Sequence, residues 1–125
     1  MCRLYAANNV APIVRIPSPD PYQAAMALDG GAQGVIAPYV ESVEQVRDHV
    51  GAVKYRPLKG AKLYGALNGE AALEPELKEY LGARNAGNVA IVNIESVAAI
   101  EALDDIVAVE AVSYTHLTLP TIYSV

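Results

Sequence analysis

The chain reads as an α/β protein built on a parallel sheet, and three observations predict this. Short apolar runs, Ile13-Val14-Arg15-Ile16, Val35-Ile36-Ala37 and Val89-Ala90-Ile91-Val92-Asn93-Ile94, have the composition and length of buried parallel strands. Between them lie stretches with cap residues and helical spacing. The connecting loops are short, and strand–helix alternation with short loops folds into a parallel sheet.

Val10 to Ile16 is the first predicted strand, stopped by Pro17. Asp20 is placed as the N-cap of the next helix, with Pro21 at its first position and Tyr22 to Leu28 as its body. Asp29-Gly30-Gly31 ends it, glycine supplying the left-handed conformation. Val35 to Ala37 is the second strand, closed by Pro38. Ser42 opens a helix whose Val43, Val46 and Val50 share one face.

From Lys54 to Gly69 no period is evident, and the segment reads as a long loop at the strand-end face. Leu73 to Leu81 is a charged helix, Gly82 to Asn88 a loop, and Val89 to Ile94 the third strand. Ser96 then caps a helix with Val97, Ile100 and Leu103 on one face, ended by Asp104-Asp105. Another apolar segment begins at Ile106.

The totals limit the functional classes. A chain of 125 residues with 53% hydrophobic residues suffices for one domain with a core. A net charge of −5 and a pI of about 4.9 argue against a nucleic-acid surface. Cys2 is the one cysteine, so an internal disulfide and a cysteine-based zinc site are excluded, and a cytoplasmic location is expected. No apolar run approaches the ~20 residues of a membrane span, and the N-terminus has no signal-peptide core.

Two strands end in a charge that a core does not tolerate. An unpaired buried ion costs several kcal/mol, so Arg15 and Glu95 are expected where strands stop and loops begin. Ligands of α/β proteins bind at that edge. A guanidinium and a carboxylate there point to an anionic substrate and a metal. His49, among polar neighbours, reads as a solvated surface residue, and Lys59 and Lys62 as part of a solvated loop. His116 is given no role.

Three motifs in order carry a resemblance. Val14-Arg15-Ile16-Pro17, the run from Ala27 through Asp29-Gly30-Gly31-Ala32 to Pro38, and Asn93-Ile94-Glu95-Ser96 resemble the HpcH/HpaI aldolase and citrate lyase beta family. The likeness extends from about Val10 to Val112, and the class II 2-oxo acid aldolases are the subgroup it suggests. It implies a partial (β/α)8 TIM barrel holding about strands 3 to 6, since the whole barrel needs ~250 residues.

The resemblance also implies roles. Arg15 would bind a 2-oxo acid and steady its enolate oxygen, Glu95 would ligate a divalent metal (Mg²⁺ or Mn²⁺, with Co²⁺ allowed), and Asn93, where many relatives have Gln, would serve substrate binding by orienting the metal-bound ligand or a water. The implied activity is retro-aldol cleavage of a 4-hydroxy-2-oxo acid to pyruvate and an aldehyde, with the small 2-oxo acid as partner and neither nucleic acid nor membrane. The parent is expected to be a homo-oligomer. A citryl-CoA or malyl-CoA lyase relative and a non-catalytic half-barrel module remain alternatives.

The family's histidine, in an Asp-x-Glu-His loop, has no counterpart here, and its second metal-binding Asp should follow Val112. The chain is therefore expected to be an inactive fragment with an internal start at Met1. Residues 1–112 are read as the barrel domain. Residues 113–125, Thr-rich and free of Asp, Glu, Lys and Arg, resemble translated sequencing-adapter DNA and are expected to be a non-native tail.

Overall fold

Four parallel strands in chain order form the sheet, and helices lie on one of its faces. The computed structural model describes residues 1–110 and the strand at 114–117. The elements are α1 (Cys2–Ala7), β1 (Ile13–Arg15), α2 (Pro21–Asp29), β2 (Gly34–Ala37), α3 (Val43–Lys54), α4 (Gly60–Asn68), α5 (Pro75–Asn85), β3 (Val89–Ile94), α6 (Val97–Glu101), α7 (Leu103–Val107) and β4 (Tyr114–Leu117). Val14 pairs with Val35, Val35 with Ala90, and Asn93 with His116. A sequential parallel order, with helical crossovers throughout, is the arrangement of successive strands in a barrel wall.

Local chemistry sets the helix starts. Asp20 accepts a hydrogen bond from Tyr22 N (2.9 Å), Ser42 Oγ from Gln45 N (3.3 Å), and Ser96 Oγ from Ala99 N (3.1 Å). The expected caps of α2, α3 and α6 are thus in place. After α2, Gly31 takes a φ of 104°, which requires glycine. β1 is shorter than expected because Pro12, which has no N–H for a ladder, precedes it.

One face of the sheet is sealed. Val35 and Ala90 pack with Ala24 and Leu28 of α2 and with Val50 and Val53 of α3. Further along the strands, Ala37, Val92 and Ile94 pack with Val40, Val46, Ala99 and Ile106. The other face is half-covered: in β3, Val89, Ile91 and Asn93 alternate with the buried Ala90, Val92 and Ile94. Ile13 on β1 is 53% exposed. Burial on both faces was expected of these strands, but no described element covers the second.

Other expectations are corrected. The segment read as a loop from Lys54 contains α4, whose Leu63 and Leu67 lie against Gly51 of α3. Its glycines conceal a helix stabilised by that tertiary contact rather than by propensity. Lys59 and Lys62 in this segment are exposed, as expected. The charged helix starts at Pro75 and runs to Asn85, into the expected loop, because Asn85 is buried and its Nδ2 donates to Arg56 O and Leu81 O (2.9 Å each).

The Val97–Ile100 face points outward, at 67% and 42% exposure, while the small Ala99 sits against the sheet. Asp104 and Asp105 do not end a helix; they lie in the first turn of α7, where acidic groups suit the helix dipole. Ile106 is the buried residue of that helix rather than the start of a separate segment.

His49 is likewise no surface residue. It is 2% exposed, lies between α3 and the sheet, and its Nε2–H donates to Val35 O at 3.0 Å. Burial lowers its pKa below the ordinary histidine value, an effect the Val35 contact partly offsets. Among the described residues, no helix is long and apolar enough to cross a membrane. The tail expected from residue 113 falls mostly outside the described residues; within it Tyr114–Leu117 forms β4 beside β3.

Candidate functional site

The C-terminal ends of β1, β2 and β3 bring the two predicted charges together. Arg15 is the last residue of β1, and Glu95 follows the last residue of β3. β2 lies between these strands. Neighbouring strands stand about 4.8 Å apart, so the two strands are separated by roughly twice that. Two long side chains converge across the gap: Arg15 Nη2 lies 3.7 Å from Glu95 Oε1. The ion pair spans the end of β2.

The pair is unequal in exposure. The Arg15 side chain is 51% exposed and that of Glu95 17%. A single contact of that length with half the guanidinium in water contributes at most about 1 kcal/mol. Arg15 therefore keeps donors available for another anion, and the planar guanidinium matches a carboxylate bidentately. Glu95 is held more firmly, its Oε1 also accepting from Tyr39 N at 2.7 Å.

Tyr39 is the site residue that sequence reading missed. It follows Pro38 at the end of β2, between the two charged strand ends. Its φ of 56° is left-handed, and its ring lies beneath the Arg15 guanidinium, 5.5 Å from centroid to Cζ. The one available signal was position: Tyr39 occupies the strand-end loop between those of Arg15 and Glu95.

Asn93 lies on the half-buried face of β3, two residues before Glu95. The alternation of β3 puts Ile91, Asn93 and the Glu95 end on the face away from the helices. Both predicted substrate residues thus border one open edge. His49 is on the opposite side of the sheet and takes no part. Grooves of about 660 and 630 Å³ open elsewhere, lined by α3, α4 and their neighbours, and touch neither Arg15 nor Glu95.

A divalent cation is compatible with this donor set as a partial one. Among the described residues, no three His, Cys, Asp or Glu side chains gather closely enough to hold a metal ion. Magnesium-type ions are commonly bound through one or two carboxylates, with waters and substrate oxygens completing the shell. Glu95 is such a carboxylate: it is a hard oxygen donor at a strand end, and its contacts among the described residues fall on Oε1.

Comparison with known proteins agrees with this fold. A hydroxypyruvate/pyruvate aldolase of Roseovarius nubinhibens is 38% identical over 101 residues, covering 81% of this chain and 39% of that protein. A 2-dehydro-3,6-dideoxy-6-sulfogluconate aldolase of Pseudomonas putida is 38% identical over 110 residues, covering 88% of this chain and 42% of its own length. The crystal structure of an HpcH/HpaI aldolase from Desulfitobacterium hafniense superposes with a TM-score of 0.68 at 29% identity, covering 94% of this chain and 45% of that one.

The chain thus spans about two fifths of the length of the curated relatives it matches. The HpcH/HpaI aldolase/citrate lyase family model matches residues 2–118. With that match and a parallel sheet in barrel order, the chain belongs to the HpcH/HpaI aldolase/citrate lyase family.

Proposed function

We propose that this chain is part of a divalent-metal-dependent aldolase that cleaves a 4-hydroxy-2-oxo acid to pyruvate and an aldehyde. The observation that carries the reading is the meeting of Arg15 and Glu95 over the end of β2, in a chain whose relatives are aldolases. In retro-aldol cleavage the C3–C4 bond breaks as the C4 hydroxyl loses its proton. The electron pair of that bond becomes the enolate of pyruvate, which then takes a proton at C3.

Negative charge develops on the C2 oxygen, and fixed positive groups beside that oxygen stabilise it. Arg15 binds the carboxylate of the oxo acid and faces the enolate oxygen. Asn93 orients the substrate along the open edge. Glu95 would hold the divalent cation, Mg²⁺ or Mn²⁺ by its oxygen chemistry. When bound, such an ion supplies Lewis-acid stabilisation of the pyruvyl oxygens.

The proton of the C4 hydroxyl needs a base. Among the site side chains that the structure describes, Arg15 and Asn93 cannot accept it, Glu95 would hold the cation, and His49 lies behind the sheet. The chain by itself is therefore proposed to bind but not to turn over.

Calorimetric titration of the purified chain tests this reading. Mn²⁺ binding should weaken tenfold or more in Glu95→Gln, roughly the loss expected when a charged ligand becomes neutral. Pyruvate binding should weaken about tenfold in Arg15→Lys, which loses the bidentate fork but keeps the charge. If both variants titrate like the wild type, the assignment fails. Turnover of a 4-hydroxy-2-oxo acid by this chain with Mn²⁺ would overturn the claim of inactivity alone.

A further inference from the structure

Tyr39 touches both charged groups of the site through two different parts of itself. Its backbone N–H donates to Glu95 Oε1 at 2.7 Å, and its ring lies 5.5 Å from the Arg15 guanidinium carbon. The backbone arrangement is not a relaxed one. A left-handed φ of 56° at a non-glycine residue is a conformation that L side chains rarely adopt.

The neighbours enforce it. Pro38 and Val40 are both buried, Val40 within the core between α3 and β3, while Tyr39 between them is 56% exposed. A chain pinned inward on both sides turns its middle residue outward. That turn directs the N–H toward Glu95 and places the ring under Arg15.

We propose that Tyr39 is a positioning residue for the oxo-acid and metal site, with its amide orienting the Glu95 carboxylate and its ring acting as a platform for Arg15. The inference rests on the functional reading given above and adds a residue to it. The amide occupies Oε1 and so presents Oε2 to a cation. The ring supports one face of the guanidinium, leaving its edge donors free for a carboxylate. The two arms act separately, because one is backbone and the other is side chain.

Three substitutions separate the arms. Tyr39→Phe keeps both and should bind Mn²⁺ and pyruvate within about twofold of wild type. Asn tolerates the left-handed region, so Tyr39→Asn keeps the amide and loses the platform. It should retain Mn²⁺ affinity while pyruvate binding weakens about three- to tenfold. Tyr39→Val places a β-branched residue where φ is positive. It should weaken Mn²⁺ binding about tenfold, the scale seen when a ligand's supporting hydrogen bond is lost.

Amide NMR supplies a readout independent of ligand. The Tyr39 N–H resonance should lie downfield in wild type and move upfield in Glu95→Ala, and far-ultraviolet circular dichroism confirms that each variant is folded. A wild-type chain that binds neither Mn²⁺ nor pyruvate overturns the functional reading and this inference with it. A wild-type chain that binds both, with Tyr39→Asn and Tyr39→Val unchanged, overturns the inference alone.

Discussion

The two faces of the sheet differ in what their residues do. Toward the helices, Val35, Ala37, Ala90, Val92 and Ile94 are fully buried, and they meet small or branched residues such as Ala24, Val46 and Ala99. On the other face, Ile13, Arg15, Ile91 and Asn93 are half-buried or exposed, and charge gathers at their C-terminal edge. Packing is concentrated on the first face, and the proposed ligand chemistry on the second. Along β3 the two roles alternate residue by residue.

The largest expected effect tests that division. Ile94→Ala removes a fully buried side chain from the helix-side core. It should destabilise the chain by about 2–5 kcal/mol in urea unfolding. Ile13→Ala removes a similar side chain from the open face and should cost about 1 kcal/mol or less. Equal losses at the two positions would mean that the open face is packed in solution, and the comparison would fail.

Sequence patterns revealed what depended on neighbours along the chain. The caps Asp20, Ser42 and Ser96 and the helix face of Val46 and Val50 follow from spacing alone. Arg15 and Glu95 stood out because ions interrupt apolar runs. What escaped was set by distant contacts. The α4 helix forms because Leu63 and Leu67 find Gly51, and nothing local announces that contact. His49 sits beside Arg47 and Asp48, yet the turn of α3 carries it under the sheet. The role of Tyr39 is a backbone conformation, held by the burial of Pro38 and Val40.

His49 sharpens the comparison from the buried side. Burial holds its folded-state pKa below the ordinary 6.5, so the folded chain keeps the imidazole neutral where the unfolded chain takes up a proton. Its contribution is complete above pH about 6.5 and is lost as pH falls below that value. The slope approaches about 1.4 kcal/mol per pH unit. Asp48 acts in the opposite sense: burial, then Glu44, raises its pKa, so its contribution is present at low pH and lost as pH rises above about 3.8. Urea midpoints at pH 7.5 and 5.5 should therefore fall with acid in wild type and fall less in His49→Gln. An equal fall in both would remove His49 as the cause.

Ser96 is the residue at which the two faces meet, and its expected effect is the smallest. It follows Glu95 directly, but its Oγ caps α6 through Ala99 N at 3.1 Å, and Ala99 is fully buried against the sheet. In chain order Ser96 adjoins the proposed site; by contact it belongs to the core. Ser96→Ala removes one capping acceptor, which should cost about 1 kcal/mol. The carboxylate of Glu95 is held separately by Arg15 and Tyr39 N, so Mn²⁺ and pyruvate affinity should stay within about twofold of wild type. A tenfold loss of Mn²⁺ affinity in Ser96→Ala would show that the start of α6 sets the position of Glu95, and the line between packing and chemistry would then move one residue further along the chain.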